Sequence, residues 1–152
     1  MTVWQQTAQL ILSAALFFCL LRISYTDLTQ RRLPNRQVAV IAGLGLLRLL
    51  PLVSSLLGAL YAVGVAVLVA GAYRLLRGQA GIGMGDLKLL AALGLFFGPP
   101  AFWILPLASC LCVVSLPLIV WRRGSLTSLP FGPYIAIGAI ILMAPMVMRL
   151  LS

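Results

Sequence analysis

The sequence predicts an all-α integral membrane protein of about six transmembrane helices, with a glycine-rich loop that dips into the membrane before the fourth. Three observations carry this reading. Hydrophobic residues make up 62% of the 152, charged residues only 9%, and the mean hydropathy is +1.13, so too little charge is present to cover the surface of a soluble domain. The eleven basic residues, which give a net charge of +9, stand singly or in pairs between apolar runs. No basic stripe with interleaved aromatics exists, so the charge marks topology and a lipid bilayer as partner, not nucleic acid. The third observation is one apolar run too short to cross a bilayer without help from the chain before it.

A spanning helix needs about 20 apolar residues, and the runs fall near 8–26, 37–50, 53–73, 86–98, 101–121 and 134–151. Pro51, with Arg48 before it, marks the turn between the second and third. The first run has no basic residue ahead of it and is long enough to span, which argues against a cleaved signal segment. The whole chain, 1–152, reads as a single transmembrane domain. Arg31, Arg32, Arg36, Arg74, Arg77, Arg122 and Arg123 occupy alternate connections, with Arg22 and Lys88 close by. Only Arg48 and Arg149 lie opposite. The positive-inside bias then places the rich side in the cytoplasm and both termini outside.

The fourth run, from Asp86 to the break at Gly98-Pro99-Pro100, covers about 20 Å at the helical rise, against a hydrocarbon core of about 30 Å. If Gly98 lies at the outer surface, Asp86 sits below the inner one, and the glycine-rich stretch 78–85 must enter the membrane plane. Irregular backbone at that depth survives only against protein or a water-filled cavity.

Asp27 and Asp86 are the only acidic side chains, and the chain has no histidine. An intramembrane carboxylate costs about 2.5 to 3.5 kcal/mol and is retained for function. Two crossings separate the pair, so both face the same side. Asp27 is expected to close the first helix and open a polar turn through Pro34 and Asn35, although a carboxylate there opposes the helix dipole. Asp86, after Gly83-Met84-Gly85, sits where an N-cap belongs. Gly81, Gly83 and Gly85 allow left-handed backbone and close approach of an extended peptide. Arg31 and Arg32 read as orientation signals, Lys88 as a cation reaching the headgroups or tuning the acids, and Pro130, Gly132 and Pro133 as a rigid entry to the last helix. Cys19, Cys110 and Cys112 lie in apolar runs without a CxxC pair, so neither a zinc site nor any cofactor is expected. Two carboxylates without histidine or an activated nucleophile point to shared acid and base work, one holding a proton while the other activates water.

The run Asp27 to Asn35 resembles the D-x5-I/L-P-N signature of type IV prepilin peptidases. Gly83-Met84-Gly85-Asp86-Leu87-Lys88-Leu89-Leu90-Ala91 resembles their GxGDxKLLA signature, and Leu129-Pro130-Phe131-Gly132-Pro133-Tyr134 is similar to their PFGP segment. The resemblance implies a multi-pass aspartic endopeptidase of the bacterial inner membrane that removes the leader of prepilins or pilin-like precursors at the cytoplasmic face. It implies catalytic roles for Asp27 and Asp86, and loop or substrate-binding roles for Pro34, Asn35, Gly83, Gly85 and Lys88. The CxxC-bearing segment of the larger bifunctional members is missing, which resembles the minimal Tad-type branch and implies no methyl transfer. Two other readings stand beside this one. A small transporter or proton-pathway subunit would need polar groups through the whole membrane, and a noncatalytic pilus-assembly scaffold would tolerate loss of either aspartate.

Overall fold

The computed structural model describes residues 3–30, 33–48, 52–77, 83–123 and 131–151. These form six α-helices, α1 (Val3–Gln30), α2 (Asn35–Leu47), α3 (Leu52–Arg77), α4 (Met84–Phe97), α5 (Ile104–Arg123) and α6 (Gly132–Leu151), with a 3₁₀ turn at Pro99–Trp103. No strand occurs among the described residues. α1, α3 and α6 are long and apolar enough to cross a membrane, and α2 is among the shorter apolar helices. The glycine-rich stretch 78–82 and Pro51 lie outside the described residues, as do Arg31, Arg32 and Pro130.

Six helices stand where six apolar runs were expected, but several ends move. α1 runs four residues past its expected end because its threonines satisfy themselves locally. Thr26 Oγ1 donates to the carbonyls of Arg22 and Ile23, and Thr29 Oγ1 to that of Tyr25. A hydroxyl bonded this way costs the helix little and lets polar residues continue it. Asp27 therefore lies inside α1, and the expected turn beginning there is corrected. The double proline does not simply break the chain either. It opens the 3₁₀ turn, where missing N–H groups cost nothing, and α5 starts from that turn.

α4 is the axis of the packing. Leu89, Leu90, Leu93 and Phe96 are wholly buried, and the helix packs on α3 and α2. Glycines let the backbones close on one another. A β-carbon at Gly94 would overlap the backbone of Ala59, one at Gly58 would overlap that of Gly98, and one at Gly45 would meet the backbone of Leu95 and Phe96 at 2.8 Å. Close backbone approach through small residues is how helices associate in lipid, where no hydrophobic force drives them together. α1 packs on α6, and α6 on α5.

The buried face of α1 is a stripe of Gln9, Ser13, Leu16, Leu20, Ile23 and Asp27. Their spacing alternates between four and three, which keeps them on one side of a helix. The stripe's last member is a carboxylate. Packing that buries Leu20 and Ile23 thus carries Asp27 into the bundle as well.

Candidate active site

Asp27 and Asp86 come together. Both line one cleft of about 370 Å³, with Leu33, Asn35, Gly83, Met84, Gly85 and Lys88, and their carboxylates are close enough to interact electrostatically. α2 and α3 lie between them in the chain, and both sit at the same end of the bundle, near the start of α2, α4 and α6.

Each carboxylate has a helix N-terminus beside it. Asp27 is only 7% exposed, and its Oδ2 accepts a hydrogen bond from the backbone N–H of Gly132 at 3.0 Å. Gly132 is the first residue of α6, and the N–H groups of a helix's first turn have no partner inside it. A carboxylate here is favoured by that free donor and by the positive end of the α6 dipole. This contact offsets the unfavourable position of Asp27 near the C-terminus of its own helix. Gly132 is also the residue that admits the contact. A β-carbon there would lie 2.7 Å from Asp27 Oδ2 and 3.1 Å from its Cγ. The expected role of Gly132 as part of a rigid entry turn is thereby extended to holding Asp27.

Asp86 does not cap its helix. Gly83 occupies the N-cap position and has an extended backbone, with no side-chain cap. Asp86 lies three residues later in the first turn, and its Oδ2 folds back to 3.2 Å from the point a β-carbon of residue 83 would take. An acid at this position reaching towards the N-cap backbone is one half of a capping box. Gly83 has φ near −70° and Gly85 is helical, and among the described glycines only Gly98 has a positive φ. The left-handed conformations expected of Gly83 and Gly85 are not adopted, and Gly81 lies outside the described residues. Gly85 serves close packing instead. A β-carbon on it would meet Leu33 Cδ1 at 3.0 Å and Cβ at 3.1 Å, so its absence lets Leu33 settle on the first turn of α4.

The remaining positions divide. Lys88 Nζ donates to Asn35 Oδ1 at 3.2 Å, tying α4 to α2 at the mouth of the cleft. Asn35 is thus the first residue of α2 and a partner of Lys88, not its cap. Pro34 does not line the cleft; it is the α2 N-cap, whose carbonyl accepts from the N–H groups of Gln37 and Val38. Leu33 and Met84 were not singled out in the sequence, because an apolar residue beside a motif looks the same whether it lines a cleft or faces lipid. An apolar groove between α2 and α4, lined by Val38, Ala42, Ala91 and Leu95, shares Asn35 and Lys88 with the cleft and continues it along the bundle. No group of three or more His, Cys, Asp or Glu side chains that could hold a metal occurs among the described residues.

Comparison with known proteins agrees with these motifs. Residues 14–148 match the model of the type IV leader peptidase family. The prepilin leader peptidase/N-methyltransferase of Aeromonas salmonicida is 34% identical over 142 residues, 88% of this chain and 47% of that protein. The protein of the same name from Neisseria gonorrhoeae is 31% identical over 144 residues, 91% of this chain and 49% of that protein. The one from Stutzerimonas stutzeri is 35% identical over 145 residues, with 88% and 48% covered. The chain therefore spans about half the length of these relatives. No solved structure matches it. With a family match that runs from the middle of α1 almost to the end of α6, the chain belongs to the type IV leader peptidase family.

Proposed function

We propose that this chain is a membrane aspartic endopeptidase that cleaves the leader from type IV prepilins or pilin-like precursors, those of Tad-type pili among them, with Asp27 and Asp86 as the catalytic pair. The observation that carries the proposal is that the chain's only two acidic side chains, 59 positions apart in sequence, line one cleft at one end of the bundle. In this chemistry the two carboxylates take opposite roles, one ionised as base and one protonated as acid. The ionised member takes a proton from a water molecule, whose oxygen attacks the scissile carbonyl. The protonated member gives its proton to the carbonyl oxygen, and the tetrahedral intermediate then collapses with the proton returned to the leaving nitrogen. The apolar groove that continues from the cleft offers a seat to an apolar stretch of the substrate.

The test is cleavage of a purified prepilin by the protein reconstituted in liposomes, with the products weighed by mass spectrometry. The expected result is the mature pilin and free leader, the pilin's new N-terminus unmethylated even with a methyl donor present. The proposal covers only the first of the two activities in the relatives' name. Absence of cleavage overturns the reading, and a methylated product overturns its restriction to peptidase action.

The cleft is proposed to open to the cytoplasm, supported by the excess of basic residues that the sequence carries in the connections on that side. Met84 lines the cleft and is 70% exposed, whereas Leu93 is wholly buried. In a background free of Cys19, Cys110 and Cys112, Met84→Cys should react with a membrane-impermeant thiol reagent from the cytoplasmic side only, and Leu93→Cys from neither. Labelling of position 84 from the outside would reverse the orientation.

A further inference from the structure

At the end of the bundle remote from the aspartates, where α2, α4 and α6 finish, a second cavity of about 440 Å³ opens beside Arg48 and Arg149. These are the two basic residues that charge patterning places on that side. The walls are otherwise apolar, chiefly Phe97, Pro100, Leu142 and Met146.

Arg48 ends α2 and turns inward. Its Nη1 donates to the Phe96 carbonyl at 2.5 Å, Nη2 points at the sulfur of Met146, and Cζ stands 4.9 Å over the Phe96 ring. Nε is buried and has no hydrogen-bond partner among the described residues. The bond to Phe96 satisfies one of the last carbonyls of α4 and places a cation at its negative end, a structural role in itself. That role uses only part of a guanidinium with five donors, and every partner it supplies is neutral. No acidic side chain of the chain can add a counter-charge there, since Asp27 and Asp86 both lie at the other end. Partial burial of the Arg48 cation among neutral partners is costly, and the phosphate of a lipid is an anion suited to this depth.

We propose that this cavity binds one anionic phospholipid from the leaflet remote from the aspartates, its phosphodiester between Arg48 and Arg149 and the start of an acyl chain against Phe97, Leu142 and Met146. Arginine is suited to bidentate phosphate contact. The apolar walls favour a lipid over free phosphate, which would leave them wet. A zwitterionic headgroup fits less well because its own cation approaches Arg149.

Native mass spectrometry of the full chain in detergent tests this, with phosphatidylglycerol or phosphatidylcholine added at equal concentration and inorganic phosphate as competitor. One phosphatidylglycerol should be retained per chain in preference to phosphatidylcholine. Arg149→Gln should weaken retention about tenfold, the loss expected of one charge-assisted contact, and Arg48→Met at least as much. Arg22→Gln, an exposed position on α1, should leave retention unchanged. Because Arg48 also holds α4, Arg149→Gln decides the outcome if Arg48→Met does not fold. Equal retention of the two lipids, displacement by inorganic phosphate, unchanged retention in Arg149→Gln, or an equal loss in Arg22→Gln would each overturn the proposal.

Discussion

Asp27→Asn and Asp86→Asn should each reduce prepilin cleavage by about a thousandfold or more while the protein remains folded in the membrane. General acid and base groups typically contribute about 10²- to 10⁴-fold, and the sequence holds no other acidic side chain to substitute. The amide is a discriminating replacement. Asparagine at position 27 keeps a carbonyl oxygen able to accept from the Gly132 N–H, so the contact at 3.0 Å that joins α1 to α6 survives. Asparagine at position 86 keeps a polar group over Gly83. What each variant loses is the ionisable proton. Asp27→Ala differs in kind, because it leaves the Gly132 N–H buried without a partner and should lower stability by about 1 to 3 kcal/mol as well. Initial rates in liposomes, normalised to protein abundance, separate the effects. Cleavage within about tenfold of the unmodified protein by either Asn variant would sink the catalytic pair. Glutamate at either position should also impair strongly, since a misplacement of about 1 Å can cost about a hundredfold.

The helices and both aspartates are legible in the sequence because bilayer thickness and charge cost act on local composition. A run of apolar residues between basic ones means a helix wherever it occurs, and a carboxylate in such a chain is conspicuous. Local hydrogen bonding is less visible. The extension of α1 to Gln30 depends on threonine hydroxyls bonded to carbonyls one turn back, and hydropathy counts those threonines against a helix. The 3₁₀ turn at Pro99–Trp103 was hidden because two prolines read equally well as a break or as the start of a helical turn. Long-range partners are hidden altogether. Leu33 on Gly85 and Gly132 on Asp27 join residues 52 and 105 positions apart. One signal was available for the orientation of Asp27. Leu16, Leu20, Ile23 and Asp27 continue a single 3.5-residue stripe, so the acid lies on the face that packs and not on the face that meets lipid.

Gly132→Ala should lower the cleavage rate about a hundredfold without unfolding the protein, chiefly through displacement of Asp27. The added methyl would stand 2.7 Å from Oδ2 and 3.1 Å from Cγ, well inside van der Waals contact. Residue 132 begins α6 directly before Pro133, where a β-carbon also meets the proline ring, so thermal unfolding separates that cost from the loss of rate. Beyond its chain neighbours, the atoms nearest the methyl all belong to Asp27, whose carboxylate must rotate away and lose its hydrogen bond from the helix terminus. A shift of about 1 Å in a reacting group is enough to cost about a hundredfold. If Gly132 acts through Asp27, the loss falls on kcat, with KM for prepilin within about threefold, because the cleft residues Leu33, Asn35 and Lys88 are untouched. Gly64→Ala is the matched control. A β-carbon at Gly64 meets nothing within 4 Å, so that variant should cleave at the unmodified rate and be as stable or slightly more so. Thermal unfolding in detergent completes the test. Gly132→Ala active at near the unmodified rate would mean that Asp27 need not be held where α6 holds it. A loss matched by a large fall in Tm would instead make Gly132 a packing residue, and the link between the start of the last helix and the first carboxylate would fall.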